Sequence, residues 1–89
     1  MENKLTSGEL FILLELAKEE MSRRINDLNK AEQTQNELRS YGLAEPANML
    51  NHRIARNQKR VLKLNELVNK LDGLTRDTML EETFRGGQE

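Results

Sequence analysis

The stretch ELRSYGLAEPANML, residues 37 to 50, predicts the reversal of chain direction that decides the fold. Gly42 suits the left-handed conformation that commonly follows the end of a helix, and Leu43 can then contact Leu38, as in a Schellman motif. Pro46 is favourable in the first turn of a new helix, where its missing N–H is not needed. The stretch therefore predicts two helices joined by a tight turn at Gly42.

The segment before the turn has the pattern of one long helix. Thr6 and Glu9 can form a capping box, in which each side chain accepts a hydrogen bond from the other residue's backbone N–H. From there to the turn, apolar residues recur at the spacing of three and four that is typical of an α-helix. We therefore predict a first helix over residues 6–41. Its apolar positions are Leu10, Leu14, Ala17, Met21, Ile25, Leu28, Ala31 and Leu38.

The segment after the turn has a cleaner pattern. Its apolar positions are separated alternately by three and four residues, which is the heptad pattern of a coiled coil. Asn57 is the polar exception, and a polar residue at such a position commonly fixes the register or the number of helices. Because Gly73 disfavours helix, we predict a second helix over residues 45–72 and a separate short tail helix over residues 75–84. The apolar positions of the second helix are Ala47, Leu50, Ile54, Val61, Leu64, Val68 and Leu71.

A single antiparallel register brings the two apolar stripes together along one line, which we call the seam. The facing pairs include Leu38 with Ala47, Met21 with Leu64, and Leu14 with Leu71. Arg24 and Gln35 also fall in the seam, and we expect Ile25 to fill the space beside Arg24. Two patterns from separate parts of the chain thus agree, which supports the assignment. We predict an all-α fold, a long, coiled-coil-like antiparallel two-helix hairpin with a short C-terminal helical tail.

The first helix has more apolar surface than one neighbouring helix can cover. Six of the seven residues from Leu10 to Leu16 are large and apolar. Three coverings are open: the chain's own tail folded back over the first helix, a second copy of the chain, or a different protein. An 89-residue hairpin has a thin core, so we expect a homodimer in which two hairpins form a four-helix bundle. The predicted interface residues are Leu10, Phe11, Ile12, Leu13, Leu16, Met79, Leu80 and Phe84.

Length and composition predict one helical-hairpin domain over residues 1–85, followed by a disordered C-terminus at residues 86–89. The chain has no cysteine, so disulfides and zinc-thiolate sites are excluded. The apolar run beginning at Leu10 lacks a preceding basic stretch, and it is far shorter than the roughly 20 residues that span a bilayer. We therefore expect a soluble, cytoplasmic protein with no membrane partner.

The net charge of -1 conceals a basic segment. Residues 46–65 contain no Asp or Glu, and their five basic residues form a predicted basic face: Arg53, Arg56, Lys59, Arg60 and Lys63. This face has three interpretations: a solvated surface, a surface for an acidic protein partner, or a surface that follows nucleic acid phosphates. In the first interpretation, acidic residues of the first helix partly balance the charge, namely Glu19, Glu20, Asp27 and Glu32.

No motif predicts catalysis. The chain has no Ser and His pair with a plausible arrangement, no Gly-rich phosphate loop and no cluster with metal-ligand spacing, and His52 stands alone. We therefore expect no enzyme activity, cofactor or metal. The sequence favours a small protein–protein interaction module, such as a regulator or inhibitor of a host or bacterial regulatory protein that is acidic at its contact surface. The alternative is a nucleic-acid-binding accessory protein that uses the basic face.

Overall fold

The computed structural model describes residues 4–87, and within them it contains three helices and no strand. Helix α1 spans Ser7–Ser40, α2 spans Ala44–Met49 and α3 spans Asn51–Gly87. The all-α prediction is confirmed. No helix within residues 4–87 is long and apolar enough to cross a lipid bilayer.

The helices form an extended hairpin, as predicted. Its dimensions are 71 × 22 × 13 Å, and its radius of gyration is 19.9 Å. A compact chain of this length would have a radius of gyration of about 12 Å. The molecule is therefore a rod with α1 on one side and α2 followed by α3 on the other, which leaves room for only one row of packed side chains between them.

Helix α1 begins with the predicted capping box. The Thr6 Oγ1 accepts a hydrogen bond from the backbone N–H of Glu9 at 3.2 Å, and the Thr6 N–H donates to the Glu9 carboxylate at 3.0 Å. The Thr6 N–H and, to a smaller extent, the Thr6 hydroxyl donate to the Glu9 carboxylate and stabilise its charged form, so the pKa of Glu9 is lowered from its ordinary value of 4.5. Residues 6 and 9 thus fix the first turn of the helix through local chemistry alone.

The reversal after α1 is a Schellman motif centred on Gly42. The φ angle of Gly42 is 77°, in the left-handed region that favours glycine. The Leu43 N–H donates to the Leu38 carbonyl at 2.9 Å, and the Gly42 N–H donates to the Arg39 carbonyl at 3.0 Å. The predicted turn chemistry is confirmed.

The second arm is bent at Leu50, which corrects the prediction of a single helix from residue 45. The side chain of Gln35 reaches across from α1 and donates to the Ala47 carbonyl at 2.9 Å and to the Asn51 Oδ1 at 2.7 Å. The Leu50 N–H bonds to the same Ala47 carbonyl at 3.1 Å, a contact to the third residue back rather than the fourth. A side chain inserted into the helical hydrogen-bond ladder is a known cause of bending.

The predicted end of the second helix at residue 72 is wrong, and so is the separate tail helix folded over α1. Helix α3 continues through Gly73 to Gly87, so the tail runs alongside α1. A glycine inside a helix costs only about 1 kcal/mol, which tertiary packing can offset. The seam also continues past Leu71, where a polar residue, Thr75, occupies the next seam position. Thr75 is buried, and its hydroxyl donates to the Leu71 carbonyl at 2.6 Å.

The tail prediction fails in one further respect. Residues 86 and 87, predicted to be disordered, belong to α3, while residues 88–89 lie outside the described residues.

The seam follows the predicted register to within about one helical turn. At one end of the rod, Gln35 contacts Asn51, and at the other end Ser7 contacts Glu82. The predicted register pairs Gln35 with Leu50 and Ser7 with Thr78. The first contact is therefore displaced by one residue and the second by four, which is about one helical turn.

The core is thin. Among the described residues, no large side chain is more than 98% buried. The buried apolar side chains are Leu10, Leu14, Ala17, Ala31, Ala47 and Ile54, and the buried polar ones are Gln35, Asn57 and Thr75. Ile25 was predicted at the seam but is 39% exposed. The seam positions in this part of α1 are Met21, Arg24 and Leu28, so Ile25 lies next to the seam and not in it.

Candidate functional site

The open end of the rod, where α1 begins and α3 ends, carries the largest group of exposed apolar side chains. The Ser7 N–H and hydroxyl both donate to the Glu82 carboxylate, at 3.0 and 2.6 Å, so the two helix ends lie side by side. These hydrogen bonds lower the pKa of Glu82 from its ordinary value of 4.5, with the hydroxyl contributing more than the N–H. The structure thus brings the two separate apolar segments of the sequence to one place.

Seven of the eight predicted interface residues are exposed at this end. Leu10 is the exception, because it is only 4% exposed and packs in the seam. The other seven are between 41% and 71% exposed. Together with Leu74, they form the surface that we call the apolar end: Phe11, Ile12, Leu13, Leu16, Leu74, Met79, Leu80 and Phe84.

Grooves between α1 and α3 follow one side of the hairpin, which we call the grooved face. Among the α3 residues that line these grooves, five recur every seven positions, namely Arg53, Arg60, Leu67, Leu74 and Glu81. Seven residues are about two helical turns, so these side chains lie on the same side of α3. The grooved face therefore continues from the basic segment to the open end without changing sides.

Helix α1 contributes to the same face through residues with the same spacing. Glu20 and Asp27 line the grooves and are seven residues apart. Leu13 lies seven residues before Glu20, and Leu16 lies between them, so both leucines extend this side of α1 towards the open end. The remaining exposed apolar residues of α1, Phe11 and Ile12, lie off this face.

Leu67 and Leu74 are surface residues that the sequence analysis did not assign to an interface. Both are about half exposed and lie on the grooved face. Their signal was available, since each is one residue before a seam position and they are one heptad apart. Positions that flank a coiled-coil seam commonly contact further helices when they are apolar.

The basic face is only partly assembled as predicted. Arg53, Arg56 and Arg60 line one groove together with His52 and the α1 residue Arg24. Arg60 also lines the next groove with Lys63, whereas Lys59 lines neither groove. We call the four grouped side chains the basic patch: Arg53, Arg56, Arg60 and Lys63.

The basic patch has no carboxylate within ion-pair distance among the described residues. The four ion pairs among the side chains of residues 4–84 each join two residues of the same helix. Glu20, expected to balance α3, pairs instead with Arg23 and Arg24 of α1, both at 3.0 Å. Asp27 lines the grooves beside the patch but forms no ion pair there. The expected balance from α1 is therefore weaker than predicted, and the patch retains its positive charge.

Within residues 4–87, no group of three or more His, Asp or Glu side chains is arranged to hold a metal ion. His52 lies at the surface beside Arg53, where it lines the groove of the basic patch. The arrangement of the described side chains is thus one of exposed apolar and basic surfaces along a rod.

Comparison with known proteins leaves these surfaces as the only basis for an assignment of function. No protein-family model, no curated protein and no solved structure matches this chain.

Proposed function

We propose that this protein is a small, non-catalytic protein–protein interaction module that docks on another protein molecule through its apolar end. The observation that carries the proposal is the apolar end itself, where eight large apolar side chains are exposed at one end of the rod. Exposed apolar surface that is contiguous and rimmed by charged residues is characteristic of interaction sites.

The total exposed surface supports a docked state. The chain exposes 7278 Å². A folded monomer of 10.3 kDa typically exposes about 5,400 Å², so the excess is roughly 1,900 Å². A standard protein interface buries about 800 Å² on each partner, so this excess is larger than the area that one such interface covers. A partner on the rod would therefore remove part of the excess.

The basic patch supports an acidic contact surface on the partner. Its side chains have no carboxylate within ion-pair distance among the described residues, so their hydrogen-bond donors can bind external anions. Arginine pairs with carboxylates through two parallel N–H donors, which gives direction as well as charge. A module with these two surfaces would act as a regulator or inhibitor by occupying the working surface of its partner.

Binding to nucleic acid is the second candidate, and the same basic patch favours it. Side chains that bind carboxylates also bind phosphates, and binding to DNA or RNA would fall steeply with salt concentration. Against this candidate, the net charge is -1 and none of the residues that line the two basic grooves is Phe, Tyr or Trp.

The experiment that tests docking compares three immobilised baits in an extract of the native host. The first is the natural chain, the second carries Phe11→Asp and Leu80→Asp at the apolar end, and the third carries Leu62→Asp. Leu62 is also exposed and apolar but lies outside the apolar end, so it controls for the substitution itself. We expect the first and third baits to capture a protein that the second loses, and titration calorimetry with that purified protein should give the same order.

Equal recovery of the same proteins by all three baits would rule out docking through the apolar end.

A gel-shift assay with DNA at two salt concentrations distinguishes nucleic-acid binding from protein docking. Salt-sensitive DNA binding that is lost when Arg53, Arg56 and Arg60 are each changed to Glu would establish that second function instead.

A further inference from the structure

We infer that the grooved face is a self-association surface, on which a second copy of the chain packs in the antiparallel direction. The inference rests on the proposed function, because it assumes that the exposed apolar end is a protein interface. In this inference, the second copy covers one part of the apolar end, which is formed by Leu13, Leu16 and Leu74. The residues off the grooved face, Phe11 and Ile12, remain available to a different protein.

The grooved face of α3 is complementary to its own reversed copy. Leu67 and Leu74 lie at equal distances in sequence from one midpoint, and Arg60 and Glu81 lie at equal distances from the same midpoint. All four line the grooves. In a twofold dimer, residue i of one copy contacts residue j of the other, and j contacts i. Antiparallel α3 helices would therefore pair Leu67 with Leu74 and Arg60 with Glu81, each pair twice.

Helix α1 has its own symmetry point within about one helical turn of the same level of the rod. Leu13 and Leu16 are symmetric about the bond between Leu14 and the next residue, and the midpoint of α3 lies beside Leu71. The predicted register pairs Leu14 with Leu71, and the Ser7–Glu82 contact displaces the observed register at this end by four residues, about one helical turn. A twofold axis across the rod near Leu71 therefore passes close to the symmetry points of both helices and places four leucines of each copy near the centre of the interface.

The charges on either side of this centre favour the antiparallel direction. Asp77 and Glu81 line the groove at the open end and form no ion pair with another side chain of residues 4–84, as is also true of Arg60 and Lys63. Residues 76–87 of α3 contain three acidic and two basic side chains, whereas residues 54–65 contain four basic and no acidic ones. With the axis beside Leu71, antiparallel packing brings the first of these segments in one copy onto the second in the other. Parallel packing would bring like charges together.

Sedimentation equilibrium of charge-reversal variants tests the inference. We expect the natural chain to form a dimer of twice 10.3 kDa. Arg60→Glu or Glu81→Arg alone should weaken dimerisation on the order of tenfold at low salt, because each replaces two attractive contacts with repulsive ones. The double variant should restore most of the affinity, because it exchanges the two charges of each pair. Lys59→Glu and Glu66→Arg change the same charges off the grooved face and should have little effect.

A second measurement tests the leucine centre. Leu74→Asp should prevent dimerisation, whereas Leu62→Asp, an equally exposed leucine off the grooved face, should leave it intact. Circular dichroism should show the same helix content for both variants, because both side chains already contact water.

Cross-linking tests the direction of packing directly, because the natural chain has no cysteine. An equal mixture of Arg60→Cys and Glu81→Cys chains should give mostly mixed cross-linked dimers with a short bismaleimide. Parallel packing would give mostly cross-links between identical chains.

Three results would overturn the inference: a monomer at every concentration, a dimer that neither single reversal weakens, or a double reversal that restores nothing. The docking function would fail separately. A monomer whose Phe11→Asp and Leu80→Asp variant loses a captured partner contradicts self-association alone, and a dimer from which the three baits capture the same proteins contradicts docking alone.

Discussion

Ser7 and Glu82 join the two arms of the hairpin at its open end: the Ser7 hydroxyl and N–H donate to the Glu82 carboxylate at 2.6 and 3.0 Å, across a sequence separation of 75 residues. The contact satisfies a backbone N–H in the first turn of α1, which has no acceptor within the helix. It also places a negative charge at the positive end of the α1 dipole. A specific polar contact thus adds to the apolar packing of Leu10 and Leu14 at the open end of the hairpin.

Removal of this contact should loosen the end of α3. In Glu82→Gln the charge-assisted hydrogen bonds are weakened, so amide hydrogens of residues 78–87 should exchange faster with solvent. Mass spectrometry after hydrogen exchange would measure this, and Glu81→Gln is the matched control because Glu81 forms no hydrogen bond to Ser7. Equal exchange in both variants would show that the contact does not hold the end of the helix.

Stability should decrease in acid because of Glu9 and Glu82. Both pKa values are lowered in the folded chain from the ordinary value of 4.5, so the unfolded chain binds protons first as the pH falls. The stabilisation is therefore fully present above pH 4.5 and is lost as the pH falls through the lower folded pKa values. Urea denaturation over this pH range measures the loss. A chain with Gln at both positions should show a smaller dependence on pH, and an unchanged dependence would contradict the assignment.

Two glycines should respond to alanine with opposite signs. Gly42→Ala forces alanine into the left-handed region at φ 77° and should destabilise the hairpin by about 1 kcal/mol. Gly73→Ala lies inside α3, where an added Cβ meets nothing within 4 Å, and should stabilise it by roughly 0.5 to 1 kcal/mol. Thermal denaturation of the two variants measures both shifts. A loss of stability in Gly73→Ala would indicate that α3 is interrupted there.

The bend at Leu50 should depend on Gln35. Gln35→Ala removes the hydrogen bonds to Ala47 and Asn51 and should cost about 1 to 2 kcal/mol of unfolding free energy. Gln33→Ala, at an exposed position of the same helix, should change it by less than about 0.5 kcal/mol. Distances between spin labels placed on either side of Leu50 should show a straighter arm in the Gln35 variant. An unchanged distance would assign the bend to Pro46 instead.

Local chemistry explains which parts of the fold the sequence predicts well. The capping box at Thr6 and the Schellman motif at Gly42 involve residues no more than five positions apart, so a single sequence contains all of their determinants. The bend at Leu50 and the uninterrupted α3 depend on contacts between distant residues. Gln35 meets Ala47 only after the hairpin has formed, and Gly73 remains helical because the seam continues beyond it at Thr75.

The candidate surface was predictable to a similar extent. The run of six large apolar residues from Leu10 to Leu16 predicts an exposed group, and the structure exposes four of them, whereas the seam buries Leu10 and Leu14. Leu67 flanks the seam of the predicted second helix, and Leu74 falls after Gly73 in the predicted tail, so the prediction of two separate helices did not place these two leucines on one face. Their grouping with Leu13 on one face depends on the register between the helices, which the heptad positions define once the turn is known.

The single row of seam side chains has a consequence for the length of the molecule. Each layer of the seam contacts mainly the layers next to it, so the stability of the rod is approximately a sum over neighbouring layers. Deletion of one heptad from α1 and of the facing heptad from α3 should therefore leave a folded hairpin that is about 10 Å shorter, with both ends unchanged. Chains of several lengths could share this architecture, each with a stability proportional to its number of layers.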